Sequence, residues 1–191
     1  MPPITSQGPA YTLLAARVLT VSGGTIVKTP MFYANQVTVN PQIDTLNFEG
    51  DNTSQQVDQM PRVEVEVTLD KLDLKDEQVI YSKPTITGVS GESYGMNFGD
   101  ITEVGGVLAG LEYDLSYKDE SVTPNVNKVL RYTWYKGVLK VKRPQTAGYQ
   151  AKHQTKLNFV FYRTTTQIDG TAIPSPPADG YGAYYREAVL T

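Results

Sequence analysis

Residues 62–69, Arg-Val-Glu-Val-Glu-Val-Thr-Leu, alternate strictly between apolar and polar positions, which predicts a strand with Val63, Val65, Val67 and Leu69 on one face and Glu64 and Glu66 on the other. A second long alternation runs through Val107, Ala109, Leu111, Tyr113, Leu115 and Tyr117, with Glu112 and Asp114 between them, and predicts another strand with an acidic wet face. Shorter β-rich stretches surround these two. Ala10–Val21 and Thr25–Val27 flank a Gly23-Gly24 turn, Gln36–Asn40 and Ile43–Phe48 flank Pro41, and Lys128–Tyr135, Gly137–Lys142 and Thr155–Thr165 complete the count at about eight. Burying the four apolar side chains of the 62–69 strand would contribute ~1.5–3 kcal/mol each.

The remaining segments read as connections. Residues 47–60 are a polar run with nothing to bury, and predict a long solvated loop that ends at Pro61. Asp73 can cap a helix carrying Asp76 and Glu77 in its first turn and ending before Pro84, the single helix of the chain. Residues 85–110 are glycine-rich without a repeat, and residues 119–127 read as a loop. Met1–Ala10 and residues 169–191, which include the Pro, Gly and Tyr-rich stretch Ile173–Tyr185, read as extended arms. The expected architecture is all-β: one domain over residues 1–191, a sandwich of two antiparallel sheets flanked by one short helix, with an arm at each end.

Charge divides the chain. Residues 1–120 hold 17 Asp and Glu against 7 Lys and Arg, whereas residues 121–191 hold 3 against 10. Ser121–Ile168 has no acidic residue. A basic run of this kind suits nucleic acid, but no recognised module accompanies it, and the alternative is that basic strands lie beside acidic ones in the same subunit or a neighbour. Tyr132, Trp134 and Tyr135 beside Arg131 and Lys136 could stack on bases, and are read instead as packing or subunit-contact residues.

Catalytic chemistry is poorly supplied. With no cysteine there is no disulfide framework, thiolate metal site or thiol nucleophile. The only histidine, His153, has no acidic residue near in sequence to orient it. Asp70, Asp73, Asp76 and Glu77 lack the spacing of a calcium loop, and paired carboxylates two apart on a strand share one face instead of flanking a bond. Gly88, Gly91 and Gly95 form no phosphate loop. We expect no enzyme activity and neither a cofactor nor a metal. No basic leader precedes the apolar stretch Tyr11–Val21 and no window approaches the ~20 apolar residues of a membrane-spanning helix, so the expectation is a cytosolic, membrane-free protein.

The order of features over residues 36–165 resembles a known family. Phe48-Glu49-Gly50-Asp51-Asn52, the 63–69 strand, a short acidic helix, the 107–117 strand, Arg131-Tyr132-Thr133-Trp134-Tyr135-Lys136-Gly137-Val138-Leu139 and, after a basic loop, Thr155–Phe161 are together similar to major tail tube proteins of tailed bacteriophages. That resemblance implies a virion structural protein, assembled in the host cytoplasm as hexameric rings stacked into a tail tube. It also implies tape measure, terminator and distal tail proteins as partners, and a lumen through which double-stranded DNA passes without specific binding. It places Glu64, Glu66, Glu112 and Asp114 on the lumen, Glu49, Asp51, Asn52, Gln55 and Asp58 in an inter-ring loop, and Arg131, Trp134, Lys136 and Lys140 at subunit contacts. A tube protein of a contractile injection or secretion system is the nearest alternative. A carbohydrate-binding β-sandwich adhesin using Tyr132 and Trp134 is another.

Overall fold

The computed structural model describes residues 11–50, 53–71, 80, 106–119, 126–140, 145–146, 154–173 and 180–187. Nine strands follow one another: β1 Thr12–Ser22, β2 Thr25–Pro30, β3 Ala34–Gly50, β4 Thr53–Leu69, β5 Val107–Asp119, β6 Val126–Lys140, β7 Gln145–Thr146, β8 Gln154–Tyr162 and β9 Gly182–Glu187. Every pairing between them is antiparallel. The all-β antiparallel class is as expected. The strands nonetheless hydrogen-bond into one continuous sheet, in the order β2-β1-β5-β6-β8-β4-β3, instead of two separate ones.

This sheet folds over on itself. In a flat sheet β1 and β4 would lie four strand spacings, ~19 Å, apart. Here Ala16 and Val18 of β1, Leu111 and Tyr113 of β5, Val63, Val65 and Val67 of β4, and Leu157, Phe159 and Phe161 of β8 share one core, and β1 also touches β3. The hinge of the fold is β6. One edge of β6 pairs with β5 along almost its whole length, while the other is divided between β9 (Val129–Trp134) and β8 (Gly137–Lys140).

Gly137 sits where that second edge passes to β8. A Cβ built there would lie 2.5 Å from Phe161 Cδ1 and 2.6 Å from the Val160 carbonyl oxygen, and Phe161 is fully buried, so neither neighbour can yield cheaply. Gly137→Ala is therefore expected to lower stability by about 1–3 kcal/mol in urea unfolding. An unchanged midpoint would show that β6 can shift without penalty.

Local chemistry explains the clearer elements. Ser22 and Thr25 pair across Gly23 and Gly24, whose φ values of 59° and 78° are both positive, as the tightest hairpin turn requires. The β4 alternation is realised as read: Val63, Val65, Val67 and Leu69 are buried, and Glu64 and Glu66 are on the opposite face. Ile80 is helical and fully buried in the core. The rest of the expected 73–84 helix lies outside the described residues, as does the N-terminal arm.

Two expectations are corrected. The polar run 47–60 is not a loop: Asp44 to Gly50 and Thr53 to Gln59 pair with each other as the distal part of a β-hairpin, Glu49 opposite Ser54, Phe48 opposite Gln55 and Thr45 opposite Asp58. Asp51 and Asn52, at its tip, lie outside the described residues. The pairing of β4 with β8 stops at Arg62, so the residues on the hairpin side of it form a two-stranded arm ~30 Å long that, among the described residues, pairs only with itself. The region 169–191 is likewise not all extended tail. Ile168 and Ile173 are buried around a turn held by Gln167 and Thr171, and β9 is a strand of the sheet.

Candidate functional site

Two charged clusters occupy the outer surface of the folded sheet, one on each half. On the β4–β8 half, Glu66 accepts a 2.7 Å hydrogen bond from Lys156, and Glu64 meets Lys140 at 3.3 Å and Arg62 at 3.6 Å. These carboxylates remain about one-third exposed, with side chains at 34% and 29%. Cross-strand pairs of this exposure contribute little stability, and they fix which charges face outward.

The cluster on the β1–β5–β6 half is of another kind. Glu112 and Asp114 are each only 4% exposed. Arg17 Nη1 donates to both, at 3.0 Å to Glu112 Oε1 and 2.9 Å to Asp114 Oδ2. Arg131 grips Asp114 with two bonds, Nε to Oδ1 at 2.5 Å and Nη2 to Oδ2 at 3.0 Å, and Lys28 reaches Glu112 at 2.7 Å. Burial pulls the Asp114 pKa upward, but the hydrogen bonds and charges of Arg131 and Arg17 more than offset it and hold the carboxyl below its ordinary value. Register explains the cluster: Arg17 lies opposite Glu112, Arg131 opposite Asp114, and Lys28 on the next strand out, so four strands deliver their charges to one spot.

The wet-face expectation for Glu112 and Asp114 is thus corrected. Both are covered and neutralised by neighbouring strands, and they point away from the face that carries Glu64 and Glu66. The four carboxylates do not form one surface. The opposite charges of the two parts of the chain meet inside the subunit, through Arg131–Asp114, Lys140–Glu64 and Lys156–Glu66. Of the residues read as subunit contacts, Arg131 and Lys140 are engaged in these pairs, Trp134 stacks on Phe161 with centroids 5.2 Å apart, and Lys136 is half-buried.

Where the arm leaves the body, the core is open. A cavity of about 550 Å³ is lined by Val39, Pro41, Tyr113, Leu115, Trp134 and Tyr181, among other residues, almost all apolar. Tyr113 stacks on Tyr132 at 4.9 Å, and burial pushes its phenol up to about 12. The Trp134 indole N–H is buried and makes no hydrogen bond; the Tyr113 hydroxyl feels that donor, which partly offsets its rise, without meeting hydrogen-bond geometry. Sequence reading missed this cavity because its walls come from β3, β5, β6 and the segment before β9.

Among the described residues no group of three or more His, Asp or Glu could hold a metal ion, and no helix is long and apolar enough to cross a membrane. The chain matches no protein-family model and no curated protein.

Proposed function

We propose that the chain is a self-assembling structural subunit of a phage tail tube, with stacked hexameric rings around a channel that conducts double-stranded DNA. The observation that carries this reading is the arm. A two-stranded hairpin ~30 Å long that, among the described residues, pairs only with itself is stable only at the margin in isolation and gains from lying against another subunit. The sheet supports it too, because β2 and β3 end the strand order and, among the described residues, have no strand beyond them, leaving edges that neighbouring copies in a ring would pair.

In this reading the arm bearing Glu49, Gln55 and Asp58 spans from ring to ring. Of the four carboxylates, Glu64 and Glu66 remain the ones that can face the channel, since Glu112 and Asp114 are covered, and they face it paired with Arg62, Lys140 and Lys156. In such a mixed-charge surface the carboxylates occupy the cations that would otherwise grip phosphate, so DNA finds no strong binding site there. Tape measure, terminator and distal tail proteins would be the partners at the tube's ends, and the virion tail its location.

Purified protein is expected to pass from subunits to rings and hollow tubes as its concentration rises, seen by negative-stain electron microscopy and sedimentation. A protein that stays monomeric over the whole soluble range would overturn the proposal.

A further inference from the structure

We propose that Asp169-Gly170 is a latent site of isoaspartate formation, kept closed by Thr171 while the turn around it is folded and opened whenever that turn comes apart. The site belongs to the single subunit, whether or not subunits assemble. Asp-Gly occurs twice in the chain, at 169–170 and 179–180, and Asn-Gly does not occur. With no Cβ beside the following nitrogen, Asp-Gly is where an aspartate most readily cyclises. In that reaction the Gly170 nitrogen bonds to the carboxyl carbon of the Asp169 side chain, gives its proton to solvent and expels the carboxyl hydroxyl as water. Water then opens the five-membered succinimide at either carbonyl. Opening at the former backbone carbonyl leaves the main chain running through the side chain, with the mass unchanged.

The folded turn sets three obstacles to ring closure. Gly170 donates its N–H to the Gln167 carbonyl at 3.1 Å, Gln167 donates its own to the Thr171 carbonyl at 2.8 Å, and Gly170 has a φ of 85°. This is a type I turn closed by a glycine bulge, with Asp169 as its second central residue. At that position ψ is ~0°, which leaves the Gly170 nitrogen ~120° from the Asp169 Cβ about the Cα–C bond. A five-membered ring needs the two nearly eclipsed. The attacking nitrogen is also occupied, since it cannot lose its proton without breaking its bond to Gln167. Finally, the carboxyl is held ionised. Asp169 Oδ1 accepts from the Thr171 hydroxyl at 2.6 Å and from the Thr171 N–H at 2.9 Å, and these bonds hold its pKa below the ordinary value. Ring closure proceeds from the protonated acid, because a carboxylate repels the nucleophile and has no neutral group to expel.

Packing does not supply the protection. Gly170 and Thr171 are exposed, and a Cβ added at Gly170 would meet nothing within 4 Å. Water reaches the pair, so hydrogen bonding and backbone conformation decide whether it reacts. Thr171 is central to both, because its hydroxyl also accepts from Gln167 Nε2 at 3.2 Å and so ties the first residue of the turn to the carboxylate. The flanking structure gives the modification a consequence. Ile168 and Ile173 are buried, and an isoaspartyl link inserts one more backbone carbon between them. Thr164 and Gly180 exchange two 3.0 Å backbone hydrogen bonds just before β9, so a disturbed turn lies next to the lead-in to that strand. Isoaspartate at 169 is thus a lasting record that a subunit has opened.

Ageing of the purified full chain tests this. The parent is incubated at mildly acidic pH, folded in buffer and unfolded in guanidinium chloride, and position 169 is read in the tryptic peptide Thr164–Arg186 by fragmentation that separates the two isomers. Isoaspartate at 169 is expected to build up at least ~10-fold faster in the unfolded chain. Thr171→Val keeps the backbone N–H and the branched shape but loses the hydroxyl, and is expected to raise the rate in the folded protein roughly 5-fold. Thr171→Ser, which keeps the hydroxyl, is expected to match the parent. Equal rates in the folded and unfolded parent, a comparison that needs no variant, would overturn the latent site. Equal rates in folded Thr171→Val and Thr171→Ser would overturn the closing role given to Thr171.

Discussion

Arg17→Met is expected to lower stability by about 2–3 kcal/mol at neutral pH, measured by urea unfolding. A single guanidinium nitrogen serves both Glu112 and Asp114, whose side chains are almost wholly covered. Removing it leaves the two acids with Arg131 and Lys28 alone, and a buried carboxylate short of a donor loses far more than a surface pair would. Breaking a fully buried pair costs about 3–5 kcal/mol; the value here is smaller because each acid keeps one cation and Arg17 is partly exposed. Asp114→Asn separates the charge from the packing. The Asp114 pKa is depressed in the folded state, so the stability it adds is present above its unfolded value of about 3.9 and is lost as pH falls through the lower folded value. The Asn variant should be less stable at pH 7 and lose less below about pH 4. Equal acid losses in parent and variant would refute a charge role for this group.

Replacing residues 43–61 with Asn-Gly, to close the hairpin at the Gln42–Arg62 pair, is expected to abolish tube formation and leave the subunit folded. The pairing of β4 with β8 begins at Arg62, and the core members of β4 begin at Val63, so the deletion spares that pairing and every described core side chain. Its unfolding free energy should change by less than about 1 kcal/mol, in line with other surface changes. Sedimentation shows assembly and urea unfolding shows the fold. Normal tubes from the armless chain would remove the arm from ring stacking, whatever else holds the rings.

The residues that made the fold legible are those whose pattern has one reading. The Val-Glu alternation of β4 and the apolar alternation of β5 can only be strands with one buried face. What periodicity cannot say is what covers the other face. Glu112 and Asp114 look solvated in sequence because Arg17 lies 95 and 97 residues away from them, and only the register of β1 against β5 brings it over. The arm was misread for a related reason. Its outgoing strand was half legible in the Ile43–Phe48 alternation, but its return strand, Thr53 to Gln59, shows none, so the backbone ladder between them leaves only a turn signal, Gly-Asp-Asn. Likewise the prolines of residues 174–177 mask β9, which begins only at Gly182. The cavity had no sequence signal, since its walls, from Val39 to Ala183, are brought together only by the folding of the sheet.

The order of strands in the sheet also sets a schedule for the growing chain. β4 is complete at Leu69, but its partner β8 starts at Gln154, and β1 waits for β5 from residue 107 onward. At the usual ~5–20 residues per second of synthesis, β4 stands without its second partner for ~4–17 s. So large a share of distant pairings makes for slow folding. It also confers timing: the β3–β4 hairpin is made early, whereas β6 and β8, which complete the sheet that carries it, arrive only from residue 126 onward. A nascent chain therefore carries a finished hairpin long before it has a finished sheet, and β3 and β4 must hold each other as a pair for that interval.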